Sequence, residues 1–245
     1  MASFTSFLDI LPDPSNPIGD AGQALATGSS GVAGPCFASV KLSSNRKTIV
    51  DKTNSGRAVS RSIAGHTWKV GITYNPLTRD EFEPVFSFLL TRLGRLNPFY
   101  VILPNQSSTR TSSVPTLSTK IASGDFPAGQ TYMLVDTGAT ITAFPRPGDM
   151  FNITDGNNAN HVKTYRITRV ETSTNYDSTV SGYPSDGTEL RLHFTPPLSY
   201  SVGNNKVLVL TNPKIRVRLV EDVQEYSLGT NNLYQFGLEL EEALP

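Results

Sequence analysis

Alternation of apolar and polar positions dominates the chain. In TWKVGITY, Trp68, Val70, Ile72 and Tyr74 fall on one face and Thr67, Lys69 and Thr73 on the other. That is the period-two signature of a strand with one buried side. PFYVILP, after residue 97, reads as a more fully buried strand. From about Gly129 to Leu210 five further runs follow: QTYMLVD, GDMFNIT, VKTYRITRVE, ELRLHFT and KVLVLT. Turn residues separate them at a spacing that predicts a small barrel or sandwich. PKIRVRLVED and LYQFGLELEEAL predict two last strands that return to the first sheet.

One stretch breaks the alternation. In NPLTRDEFEPVFSFLLTRLGRLNP, Phe82, Val85, Phe86, Leu89, Leu90 and Leu93 form a single helical stripe. Thr78 and Glu81 have the spacing of a capping box, and Leu77 and Phe82 that of a hydrophobic staple. Gly94 can end the helix, with Arg92 and Arg95 near its negative pole. The pattern predicts a helix over about 79–93. Pro84 removes one backbone hydrogen bond, so a kink or a start nearer Asp80 is expected.

The fold class expected is therefore mainly β. A β-sandwich-like domain with one packed amphipathic helix is built from 36–105 and 211–245. Residues 106–210 form an inserted second module, a small β-barrel or sandwich. Residues 1–35 bury little, being rich in Gly, Ser, Ala and Pro. They read either as a disordered tail or as an extended arm. In the second case Phe4, Phe7, Leu8, Ile10 and Leu11 dock on a neighbouring subunit.

Composition narrows the chemistry. The 245 residues hold 21 basic and 21 acidic side chains, so no global charge marks a nucleic-acid or membrane partner. Charged residues make up only 17%, which suits surface covered on assembly. A single cysteine, Cys36, excludes an internal disulfide. Its place in CFASVKL favours a buried thiol. His66, His161 and His193 are scattered outside any metal spacing, and Asp149, Asp155 and Asp177 lack that of a calcium loop. No run reaches the length of a membrane span. The opening MASFTSFLDILPDPSNP has no basic stretch before its apolar one, so a protein folded in a cytoplasm is expected.

One motif looks enzymatic. LVDTGAT, Leu134 to Thr140, resembles the active-site loop of retropepsin-like aspartic proteases, with Asp136 as the catalyst. Such chemistry needs two carboxylates about 3 Å apart sharing a proton. The chain has one Asp-Thr-Gly and no matching bracing element. Asp and Gly are also ordinary turn residues. The favoured reading is a hairpin closed by Asp136-Thr137-Gly138 and returning towards PGDMF. No catalytic, cofactor or metal residue is assigned, and the sequence gives no positive case for an enzyme.

Two basic groups remain. Lys214, Arg216 and Arg218 face away from Ile215, Val217 and Leu219; they could touch phosphate, and cross-strand pairing with Glu239 and Glu241 is the favoured reading. Arg57 and Arg61, with Arg46 and Lys47, could line a DNA channel or pair with carboxylates of an adjacent subunit.

The segment SGRAVSRSIAGHTWKVGITYNPLTRDEFEPVFSFLLTRLGRLNPFYVILP resembles a recurrent element of tailed-bacteriophage tail proteins. A strand with Ser-Gly-Arg leads to Gly-x-x-Trp, a second strand, a Pro-Leu-Thr turn and an amphipathic helix ending at Gly-Arg. FPAGQTYMLVD, PGDMFNI, YRITRV, LRLHFTPPLSYSV and NPKIRVRLVED continue the likeness, over about 36–245. It implies a distal tail or baseplate structural protein, made in the host bacterial cytoplasm and built into the virion, with other copies and neighbouring tail proteins as partners. Passive contact with DNA in a tail lumen is compatible with it. Candidate assembly contacts are Phe4, Phe7, Leu8, Arg57 and Arg61, with Trp68 as a core anchor. A second reading makes the β module a glycan-binding adhesin through Tyr176, Tyr183 or Tyr200.

Overall fold

The structure, a computed structural model, describes residues 9–16, 34–156, 158–180 and 182–245, the side chains of 62–64 excepted. The chain runs through β1 (Phe37–Lys52), β2 (Ala58–Tyr74), α1 (Arg79–Leu90) and β3 (Phe99–Ile102). Next come β4 (Leu117–Thr119), β5 (Tyr132–Asp136), β6 (Met150–Thr154), β7 (Tyr165–Thr172), β8 (Glu189–Thr195) and β9 (Val207–Val209). β10 (Lys214–Leu219), β11 (Ser227–Leu228), β12 (Tyr234–Gln235) and β13 (Gly237–Glu242) complete it. The fold is mainly β with one helix. It divides into two compact units, one of residues 1–101 and 217–243, the other of 102–216 with the last two residues.

The first unit is a five-stranded sheet in the order β1-β2-β13-β10-β3. Alternation decides its faces: Trp68, Val70, Ile72 and Tyr74 are each at most 4% exposed, as are Ile215, Val217 and Leu219. Across the strands, Arg218 Nη2 lies 2.7 Å from Glu241 Oε1, so charge pairing occupies that face. α1 buries Phe82, Val85, Phe88 and Leu89. Each such side chain contributes about 1.5–3 kcal/mol through burial. Phe88 meets Phe99 of β3 edge-on at 5.6 Å, and Phe82 stacks on Tyr234 at 4.4 Å.

The helix departs from expectation at one end. It starts at Arg79, carries Pro84 inside and stops at Leu90, short of 93. Leu93 and Gly94 both have positive φ, which an α-helix cannot accommodate. Leu90 and Leu93 are 53% and 63% exposed, so the buried stripe ends earlier than the sequence suggests. Arg92 turns to Asp9 at 2.6 Å and lies over the Phe88 ring.

Beside β3 the N-terminal segment closes the sheet edge. Tyr100 N–H donates to Asp9 O at 2.6 Å, and Leu11 N–H to Tyr100 O at 2.8 Å. Ile10 and Leu11 are 3% and 0% exposed. This corrects the docking role expected for them: they complete the chain's own core. Phe4, Phe7 and Leu8 lie outside the described residues. Asp13 and Asn16 form a buried turn against Gly34, where an added Cβ would stand 2.6–2.7 Å from the Asp13 backbone. Gly34→Ala is expected to cost about 1–3 kcal/mol by overpacking, measured as a lower denaturant midpoint. An unchanged midpoint would mean that 9–16 shifts freely.

Cys36 is exposed, against the expectation of a buried thiol. It immediately precedes β1, the outermost strand, which has a neighbour on one side only.

The second unit is a closed antiparallel barrel in the order β4-β5-β8-β7-β6-β9. β6, β7 and β8 form a meander, with β5 beside β8 and β9 beside β6, two overlapping Greek keys. Closure removes every sheet edge. Met133, Val135, Phe151, Tyr165, Leu192 and Phe194 fill the interior. The hairpin expected after Asp136 is absent: β5 pairs with β4 and β8, never with β6. Residues 137–149 leave as a loop, and Thr137 and Ile141 donate to Thr188 and Gly187. Greek-key order explains the error, since neighbours in sequence need not be neighbours in the sheet.

Candidate functional site

Asp136 ends β5 directly opposite Glu189 of β8. Lys120 Nζ reaches both carboxylates, at 3.2 Å and 2.6 Å. Burial alone would raise the Glu189 pKa, but hydrogen bonds from Lys120 and Ser185 and the lysine charge bring it below the ordinary value. The same two carboxylates raise the pKa of Lys120. An ion-paired triad is unlike a carboxyl pair sharing a proton, because the cation favours both charges at once. Gly138, at φ +68°, supplies the turn that follows, and Thr137 Oγ1 donates to Ala139 O. Asp136→Asn is expected to cost less than ~1 kcal/mol, since Lys120 keeps Glu189. It should also leave self-assembly and any cleavage activity unchanged, which a melting curve and a digestion assay check.

The most constrained polar cluster lies on the outer face of β7 and β8. Glu171 and Arg191 are cross-strand partners and are only 1% and 0% exposed. Arg191 Nε donates to Glu171 Oε2 at 2.6 Å, and its other nitrogens to Val180 O at 2.8 Å and Asp177 O at 2.7 Å. His193 Nε2 lies 3.1 Å from Glu171 Oε1, and Arg169 also pairs with this carboxylate. Burial would raise the Glu171 pKa, yet the Arg191 bond and charge hold it low. Arg191 thereby fastens the β7–β8 loop to the barrel wall. That loop presents Tyr176 and Tyr183, stacked at 4.9 Å and 37% and 46% exposed. Tyr200 is elsewhere, half-buried beside His161.

His161 is buried in the barrel, with Nε2 2.7 Å from the Tyr165 hydroxyl and no hydrogen-bond partner for Nδ1 among the described residues. Burial lowers its pKa from the ordinary 6.5, against the opposing pull of Asp155. The unfolded state therefore takes up the proton first. Stability from the neutral ring is full above about pH 6.5 and is lost as pH falls below it. His193 is shifted the same way by burial. The melting temperature should drop between pH 7.5 and 5.5, and His161→Gln should shrink that drop. An equal drop in the variant would assign the effect elsewhere.

The acidic turn residues hold no cation cluster: Asp149 accepts from the Arg110 and Arg146 backbone, and Asp155 pairs with Lys206. Among the described residues no group of three or more metal-binding side chains converges, and no helix is long and apolar enough to cross a membrane.

Trp68 is 2% exposed, its backbone N–H donating to Glu242 Oε2 at 2.9 Å and its ring edge-on to His66 at 4.4 Å. Arg57 and Arg61 differ from it in burial, being on the outer end of the β1–β2 hairpin. There every residue from 46 to 61 is exposed. Arg191 and Glu171 carry no sequence motif; their signal is a charged residue on the outward face of paired strands next to a long Tyr-bearing loop.

No protein-family model matches the chain. It is 31% identical over 150 residues to distal tail protein pb9 of Escherichia phage T5, covering 60% of this chain and 68% of that protein.

Proposed function

Because the chain belongs to the family of bacteriophage distal tail proteins, we propose that it is a structural subunit of the virion tail tip or baseplate, joining the tail tube to distal parts as a ring of like copies. The observation that carries this reading is the likeness to pb9 over more than two thirds of that protein. The hairpin of β1 and β2 supports it, because 16 consecutive exposed residues make little sense in an isolated domain. Its partners are further copies and the adjoining tail proteins. DNA passes it without sequence-specific contact, and no catalytic step is part of the role. Phe4, Phe7 and Leu8 remain proposed assembly contacts alongside Arg57 and Arg61. Gradient-purified particles should contain the chain in a fixed multiple, with gold-labelled antibody at the tail end. Its absence from mature particles would overturn the proposal.

One observation favours a second role. The stacked Tyr176–Tyr183 pair, held out on a pinned loop, offers aromatic faces of the kind sugar rings stack on. In that case the barrel is a glycan-binding adhesin. Glycan-array binding that Tyr183→Ala abolishes supports it, and an array with no signal for the wild type removes it.

A further inference from the structure

The exposed end of the β1–β2 hairpin combines charge with apolar surface. Residues 46–61 hold five basic side chains (Arg46, Lys47, Lys52, Arg57, Arg61) against one acidic, Asp51. Ile49, Val50 and Val59 are 54%, 65% and 51% exposed on the same ribbon. Thr53 N–H donates to Arg57 O and Gly56, at φ +82°, closes the turn, so the tip is formed without outside help. A ribbon needing only to meet phosphate has no use for the three aliphatic side chains.

The matching surface lies at the other end of β2. Two cavities of about 530 and 460 Å³ share Glu225, Phe236 and Gly237 and so form one groove. Thr73, Tyr74 and Pro76 line one side of it and Glu221, Val223 and Glu239 the other, with no lysine or arginine in either lining. Val223 and Tyr226 are 66% and 49% exposed there. Glu221, Glu225 and Glu239 form no ion pair with any described residue, while their neighbour Glu241 is taken by Arg218. The groove is thus acidic and apolar where the hairpin is basic and apolar.

Position fixes the kind of contact. The groove meets β2 at Thr73 and Tyr74, and the tip residue Arg61 stands 12 positions before Thr73 on the same strand. That separates them by on the order of 40 Å at about 3.3 Å per residue. A copy cannot fold its own tip into its own groove, because β2 runs through the sheet between them. Two different patches at opposite ends of one strand make a head-to-tail contact, which closes into a ring or continues as a filament.

We propose that the basic tip of one copy, through Arg57 and Arg61, seats in the Glu221–Glu225–Glu239 groove of the next copy, with Ile49 and Val59, on the same face of the ribbon as Arg61, packing near Val223. The inference rests on the ring reading above and names the surfaces that build it.

Two full-length variants test it. Arg57→Glu with Arg61→Glu turns the two residues that meet the groove acidic like it and leaves the tip at three basic against three acidic; Glu221→Lys with Glu225→Lys turns two of the groove's three carboxylates basic like the tip. Each alone should self-associate at least ~100-fold more weakly than wild type in sedimentation at low salt, since like charges then face each other. Their equimolar mixture should recover the wild-type oligomer as an alternating assembly, and salt should weaken it. The recovery also excludes misfolding as the cause of the single losses. If either variant assembles alone like wild type, the contact is wrong while ring formation stands. If wild type never associates, in solution or in particles, both readings fall. If the mixture stays apart and the tip variant instead loses retention of double-stranded DNA, the tip serves nucleic acid and the proposal is overturned.

Discussion

Replacing Arg191 with methionine should lower the stability of the barrel by about 3–5 kcal/mol, the usual cost of removing one partner from a buried ion pair. The side chain is 0% exposed, and its departure leaves Glu171, 1% exposed, without the buried member of its two arginine partners. Arg169 and His193 still touch that carboxylate and place the loss towards the lower figure. Val180 O and Asp177 O lose their donor in the same stroke, so the β7–β8 loop detaches before the barrel unfolds. Hydrogen exchange should show faster exchange over 173–187, and denaturant unfolding should give the global loss. Adding Glu171→Met should restore most of the stability, because the cost lies in the stranded charge more than in the missing pair. If the double variant is as unstable as the single one, Arg191 acts through packing instead. Loop detachment also separates the two functional readings: it should abolish any glycan binding by Tyr176 and Tyr183 while leaving tip-to-groove assembly intact.

Local chemistry was legible and long-range pairing was not. Trp68 to Tyr74 alternate in the sequence and alternate in burial, because a half-buried strand imposes period two whatever its neighbours are. Thr78 and Glu81 likewise meet as their spacing requires, the Glu81 carboxylate accepting from the Thr78 N–H at 2.9 Å and Oγ1 at 2.8 Å. Asp136 shows the opposite case. Its turn chemistry is real, yet its strand partners, β4 and β8, lie before and well after it in the chain. Nothing local encodes a Greek-key crossing. Cys36 fails for a related reason: CFASVKL alternates, but β1 is an edge strand, and edge position is a property of the whole sheet. Arg191 was missed because a charged residue on an outward face ordinarily meets water. Here the 173–187 loop covers it, and loop placement leaves no periodic trace. The acidic groove is assembled from residues 73–76, 219–227 and 235–239, so only the folded chain brings its carboxylates together.

Phe82→Ala should cost about 3–5 kcal/mol, the range for deleting a fully buried aromatic ring. Phe82 is 1% exposed, and its ring lies 4.4 Å from Tyr234, 5.0 Å from Tyr226, 5.1 Å from Phe86 and 5.7 Å from Phe236. Such pairs add about 0.5–1.5 kcal/mol each beyond area burial. The substitution therefore empties the centre of a five-ring cluster and leaves a cavity that flanking strands cannot close. Leu77 and Tyr234 exchange two backbone bonds of 2.9 Å just before α1, which ties the β11–β12 segment to the helix start. Loosening Phe82 loosens that tie. Tyr226 and Phe236 both border the acidic groove, so the groove should lose its shape at denaturant concentrations where the barrel is untouched. Phe86→Ala, at a half-buried site of the same cluster, gives the comparison: a loss of about half as much is expected, with the groove preserved. Denaturant unfolding followed by hydrogen exchange over 225–237 measures both effects. A Phe82→Ala chain that unfolds within about 1 kcal/mol of wild type would show that Tyr226, Tyr234 and Phe236 hold one another in place without the helix. The groove would then be a rigid feature of the sheet alone, and α1 would serve only to cover it from behind.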